Sequence, residues 1–140
     1  MTIEPIVELA YQKAKKARDN AYAIYSGVKV GAAIKVKGHD EIFFGANVEY
    51  VVNGVSVCAE RSALSHAVSS TGKIEIEFVV VCTNTEPALY PCGVCLQALS
   101  EFAKPDLPIY TSNKTKIVSK VLFKDLMPNQ YSELPKVLPE

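Results

Sequence analysis

This 140-residue chain lacks an excess of either charge: fifteen basic residues face fifteen acidic ones, and the formal net charge at pH 7 is zero. A nucleic-acid partner is disfavoured, because sequence-independent attraction to a phosphate backbone needs a basic excess or stripe. Long apolar runs are missing too; none approaches the roughly 20 residues that span a bilayer, so no membrane partner is expected. No N-terminal stretch joins a basic start, an apolar middle and a small-residue cleavage site, which implies a cytoplasmic protein. Repeats, linkers and low-complexity segments are absent, leaving a single domain over residues 1–140, long enough for one sizeable core. Histidine is scarce, and neither His39 nor His66 has metal-ligand spacing to a cysteine. Both are expected to be exposed or satisfied within the fold. Lys114, Lys116, Lys120 and Lys124 read as a solvated edge or the rim of an oligomer.

What is present is a regular alternation of helix and strand signals. Ile6, Val7, Ala10, Ala14, Ala17 and Ala21 recur at helical spacing, with Thr2 available as N-cap and Pro5 tolerable in the first turn. Val28, Val30, Ala32, Ile34 and Val36 alternate with Lys29, Lys35 and Lys37, a period of two that predicts a strand with one buried face. Gly38-His39-Asp40 turns the chain back, and Ile42-Phe43-Phe44 completes a hairpin. A second helix should start at about Cys58 and end at Ser69-Ser70-Thr71-Gly72. The unbroken run Phe78-Val79-Val80-Val81-Cys82 predicts a strand covered on both faces. A third helix follows Pro91 and runs to about Phe102. Pro108-Ile109-Tyr110 and Ile117-Val118 are short strands, and a short helix lies near Lys124 to Met127. The expected fold class is α/β, a three-layer α/β/α sandwich around a mixed sheet of about five strands.

The chemistry concentrates in three cysteines and one carboxylate. Cys58-Ala59-Glu60-Arg61 is followed, thirty-four positions after Cys58, by Pro91-Cys92-Gly93-Val94-Cys95. Three thiol ligands with a carboxylate two residues from the first are the layout of a catalytic zinc centre, whose fourth position is kept for water of lowered pKa. Cys92 and Cys95 share one side of a helical first turn, where free backbone N–H groups and the helix dipole favour thiolates. Glu60 is placed to carry protons. Three thiolates and one zinc sum to a formal charge of about −1, and Arg61 is the cation positioned to offset it. Two plainer readings stay open. With Cys82 as a fourth ligand the site would be a structural knuckle of a non-catalytic, zinc-stabilised interaction module, and Cys92-x-x-Cys95 alone would be a redox pair.

Cys-x-Glu followed by Pro-Cys-x-x-Cys is the zinc-deaminase signature in its three-cysteine form. With Ala21-Tyr22-Ala23-Ile24-Tyr25-Ser26, Val30-Gly31-Ala32-Ala33, Asn47-Val48-Glu49 and Leu126-Met127-Pro128, the chain resembles the small, homotetrameric, three-cysteine cytidine deaminases over nearly its whole length. The resemblance implies zinc-dependent hydrolysis of cytidine or 2′-deoxycytidine to the uridine product plus ammonia, in pyrimidine salvage, with one zinc per chain. It implies Cys58, Cys92 and Cys95 as ligands, Glu60 as proton shuttle and Arg61 as charge compensation. Asn47 and Glu49 would hold the ribose hydroxyls, Ala59 would join the substrate contacts, and Tyr131 would reach into a neighbouring subunit's site to stack on the base. Departures fall around the pocket: Val28 stands where relatives commonly have phenylalanine, Tyr50 where they often have asparagine, Asn53 where an aromatic is usual, and Leu96 where many carry a second arginine. They leave a modified or antibiotic aminated nucleoside as the alternative substrate.

Overall fold

The computed structural model describes residues 1–140. Its centre is a mixed five-stranded sheet in the order β2-β1-β3-β4-β5, formed by Val30–Val36 (β1), Ile42–Ala46 (β2), Ile76–Thr83 (β3), Pro108–Ser112 (β4) and Ile117–Leu122 (β5). The helices are Pro5–Asp19 (α1), Ala59–Thr71 (α2), Gly93–Ser100 (α3) and the single turn Phe123–Leu126 (α4). Every β1 neighbour is antiparallel, while β3 and β4 run parallel, with α3 as the crossover that such a pair requires.

Two clusters of buried side chains, one on each face of the sheet, make the three layers. Val7, Ala10, Tyr11 and Ala14 of α1 pack on Ala33, Phe78, Val80 and Cys82. On the other face, Ala59, Ala63 and Ala67 of α2 and Leu96 and Leu99 of α3 pack on Ala32, Ile34, Val79 and Val81. The α/β/α sandwich read from the sequence is the observed architecture.

Three local expectations are corrected. Strand β1 begins at Val30 rather than Val28, and it is buried on both faces: Ala32, Ala33 and Ile34 are all fully enclosed. Its lysines misled the count, since Lys35 lays its stem along the sheet and sends its ammonium to the exposed Glu77 at 3.2 Å. Helix α1 starts one residue past Glu4, with Pro5 in its first turn and no side-chain cap, so Thr2 does not cap it. Ala21 lies beyond the helix end.

Small residues bring both helical layers close. A Cβ at Gly31 would meet the Ala14 carbonyl oxygen at 1.9 Å, and one at Gly45 would meet the Ala63 nitrogen at 2.4 Å. Only glycine lets α1 and α2 sit at these distances from β1 and β2. That packing fixes where the first turn of α2 stands relative to the sheet.

Candidate metal centre and substrate cavity

Two helix starts deliver the thiols. Cys58 is the N-cap of α2, Cys92 the N-cap of α3, and Cys95 lies one turn into α3. Their sulfurs all lie within 4.8 Å of one another. A tetrahedral zinc with Zn–S bonds of about 2.3 Å needs sulfurs about 3.8 Å apart, so small side-chain rotations would seat the ion. Cys82 is not part of the group. It points to the α1 face, where its thiol donates to the Asn113 carbonyl at 3.4 Å and Arg18 Nη1 approaches at 4.0 Å. A four-cysteine knuckle would need a ligand from the far side of the sheet.

The thiols share protons in a way that prepares them for a cation. The Cys95 thiol hydrogen-bonds to Cys58, which with Arg61 lowers the Cys58 pKa to about 5. Cys95 is correspondingly raised, chiefly by that hydrogen bond to the Cys58 thiolate. The Arg61 guanidinium is held in its charged form by the same two sulfurs. Its Nη2 donates to the Ser56 carbonyl at 3.3 Å, while its Nε is buried without a partner. An orphaned donor beside a thiolate cluster fits a group whose sulfurs carry negative charge when metal is held. Leu96 is 6% exposed in the core of the α2 face, so no second cation comes from that position.

Glu60, in the first turn of α2, is 5% exposed and forms the floor of a cavity of about 160 Å³ with Cys58, Ala59 and Cys92. Burial raises its pKa from 4.5 to about 7, and the negative Cys58 sulfur adds to the effect. A carboxyl poised there can both accept and give a proton near neutrality.

Asn47 lines the same cavity. Its position follows from backbone pairing: Val48 exchanges hydrogen bonds of 2.9 Å in both directions with Val57, the residue before Cys58. The side chain spans the start of β1, accepting from the Val30 N–H at 2.8 Å and donating to the Val28 carbonyl at 2.8 Å. One N–H and one lone pair remain free for a ligand. Glu49 does not line the cavity; its Oε1 accepts from the Tyr25 and Ser26 N–H groups at 3.2 and 3.1 Å, and its pKa is lowered first by the Ser26 hydroxyl and then by these N–H groups. Its second oxygen is uncommitted in these bonds. Tyr131 lies on the C-terminal tail, 58% exposed, with its carbonyl accepting from Gln97 Nε2 at 2.9 Å, and it does not enter the cavity of its own chain.

Sequence reasoning missed part of the wall. Leu89 and Tyr90, just before Pro91-Cys92, line the cavity opposite Val30, Val81 and Thr83. Only their nearness to Cys92 could have pointed to them. The departures at Val28, Tyr50 and Asn53 do not line it. His66 is satisfied, its Nδ1 lying 3.1 Å from the Phe44 carbonyl, and His39 is exposed.

Comparison with known proteins agrees with this geometry. The family model for the cytidine and deoxycytidylate deaminase zinc-binding region matches residues 5–111. A cytidine deaminase of Sporosarcina psychrophila is 34% identical over 127 residues, covering 91% of this chain and 92% of its own. Blasticidin-S deaminase of Bacillus cereus is 31% identical over 111 residues, covering 74% of this chain and 76% of its own. The crystal structure of cytidine deaminase from Burkholderia pseudomallei superposes with a TM-score of 0.80 at 34% identity, covering 94% of this chain and 100% of that one. With the three thiols gathered at two helix starts and the matching region running through both of them, the chain belongs to the cytidine and deoxycytidylate deaminase zinc-binding family.

Proposed function

We propose that this chain is a zinc-dependent hydrolase, a single catalytic domain over residues 1–140 that converts cytidine or 2′-deoxycytidine to uridine or 2′-deoxyuridine plus ammonia, serving pyrimidine salvage. The observation that carries this reading is the buried Glu60 carboxyl lining an open-mouthed cavity, beside the Cys58-Cys92-Cys95 cluster. Those three cysteines would hold one zinc per chain, which when bound supplies a water acidic enough to react near neutral pH.

Glu60 does the proton work. Its carboxylate accepts a proton from the attacking water, its acid form gives one to the ring nitrogen next to the amine-bearing carbon, and a further transfer lets the amine leave as ammonia. Water and cytidine are consumed; uridine and ammonia are formed. Asn47 offers its free N–H and lone pair to a sugar hydroxyl, Glu49 its second carboxylate oxygen, and Ala59 a small side chain that leaves room for the ring. Arg61 offsets the charge of the thiolates.

The active form is a homotetramer with shared sites. Support comes from apolar side chains left in the open, where Ile24, Val51 and Val52 are 67%, 81% and 63% exposed. A second copy would cover them, and Tyr131 would then reach a neighbour's site. The chain has no helix long and apolar enough to cross a membrane. Reduced thiols are needed by the metal centre, which favours the cytoplasm.

An antibiotic or otherwise modified aminated nucleoside is the second reading, favoured by the similarity to blasticidin-S deaminase. The test is an absorbance assay of zinc-loaded protein with cytidine, 2′-deoxycytidine and blasticidin S, with ammonia and zinc per chain measured in parallel. Uridine formation, lost in Glu60→Gln, is the expected result. Bound zinc with inert cytidine and deaminated blasticidin S would select the second reading, and inertness toward all three would reject both.

A further inference from the structure

A deaminase must hold a flat ring with its amine-bearing carbon against the thiol cluster, and hydrogen bonds at the sugar leave that ring free to tilt. A π-face is held well by another aromatic ring, and such stacking tolerates changes at the ring edge. Among the cavity walls, Val30, Val81 and Leu89 are aliphatic, Asn47 and Thr83 are polar, and only Tyr90 is aromatic. Tyr22, Tyr25 and Tyr50 are exposed to a similar degree as Tyr90, yet none of them lines the cavity.

The position of Tyr90 is tied to the chemistry. It precedes the buried Pro91 and stands two residues before Cys92, a member of the thiol cluster. Two residues of extended chain span about 7 Å at most, so its backbone cannot lie farther than that from the ligand backbone. Being 49% exposed, the residue stands at the cavity mouth and not in the core. An exposed aromatic that belongs to neither buried cluster, yet lines the cavity beside the gathered thiols, has no core-packing role that would explain it.

We propose that Tyr90 is a specificity-determining residue whose ring forms the chain's own stacking wall for the base of an aminated pyrimidine nucleoside. The assignment rests on the deaminase reading above. It makes recognition of the base depend on the loop that carries the second zinc ligand, so that metal seating and base orientation are fixed by the same few residues.

Steady-state kinetics of the zinc-loaded full chain with cytidine would test it, using wild type, Tyr90→Phe, Tyr90→Leu and Tyr90→Ala. Phe should keep KM within about twofold, whereas Leu and Ala should raise KM about tenfold or more with a smaller change in kcat. The wall holds substrate and transition state alike, so the loss falls on KM; zinc per chain should stay constant. Turnover by wild type with an unchanged KM in Tyr90→Leu and Tyr90→Ala overturns the Tyr90 assignment alone. A Leu variant equal to Phe would show that apolar bulk, not the ring, is what matters, and would also overturn it. Zinc loss in the variants would mean a structural role and reject it. No turnover by zinc-loaded wild type overturns the deaminase reading and Tyr90 with it.

Discussion

Replacing Glu60 by Gln should make the metal-stripped protein more stable at alkaline pH even as it removes turnover from the zinc-loaded one. The side chain is 5% exposed, and its pKa stands at about 7 instead of 4.5, so the ionised form is disfavoured in the fold. A tenfold change in proton affinity corresponds to about 1.4 kcal/mol, which puts the cost of the buried charge at about 3 kcal/mol. Below pH 4.5 the carboxyl is protonated in both the folded and the unfolded chain, and the cost vanishes. Between 4.5 and 7 the folded state binds more protons than the unfolded state, so stability falls as pH rises. Above 7 the carboxylate is ionised in both states and the full cost is present.

Gln has nearly the same shape and carries no charge, so it escapes that cost. Urea denaturation of metal-stripped wild type and Glu60→Gln at pH 4 and pH 8, under reducing conditions, measures the difference directly. The variant should match the wild type within about 1 kcal/mol at pH 4 and exceed it by about 3 kcal/mol at pH 8, with a midpoint temperature higher by on the order of 10 °C. An equal difference at both pH values, or a less stable variant at pH 8, would refute the claim that a buried, proton-hungry carboxyl sits at the cavity floor. Zinc-loaded Glu60→Gln should lose at least 10²-fold in kcat, the usual weight of general acid–base catalysis. A site that costs stability in order to hold a reactive group is the expected pattern for a catalytic residue.

Arg61→Ala should lower zinc affinity or activity by about 10- to 100-fold, read from chelator competition and initial rates, because the guanidinium beside Cys58 and Cys95 has no substitute at Leu96. Cys82→Ser should leave zinc content unchanged, whereas Cys95→Ser should abolish stoichiometric binding; zinc loss in Cys82→Ser would revive a fourth-ligand role. Gly45→Ala should destabilise by about 1–3 kcal/mol in denaturant titrations, since its Cβ would lie 2.4 Å from the Ala63 nitrogen and force α2 away from β2.

The sequence was most legible where one residue type can do one job. Three thiols, a carboxylate and their spacing identify a metal centre without a fold, and the structure gathers those thiols as the spacing implies. The helix starts at Cys58 and Cys92 and the doubly covered β3 were readable for the same reason, because periodicity and Pro91 leave few options. Strand β1 was misread because Lys35 within it and Lys29 and Lys37 flanking it mimic a solvated face; the small residues Gly31 and Ala33 that let α1 lie on the sheet carry no hydrophobic signal. Leu89 and Tyr90 were invisible for a different reason. A cavity wall is defined by what it faces across the fold, and neither pattern nor spacing encodes that for a residue in a loop.

Packing explains why a second cation does not come from position 96. Three thiolates and a divalent ion leave about one negative charge, and the singly charged Arg61 brings the formal sum to zero. Leu96 packs in the same apolar cluster as Ala59 and Ala63, so an ionised side chain at position 96 would have to break that packing to reach the sulfurs. In the metal-stripped site the proton affinity of Glu60 follows from burial first, with the negative Cys58 sulfur adding to it. Closing the cavity more tightly around a bound nucleoside would raise that affinity further, as a group that must first take a proton and then give it back requires.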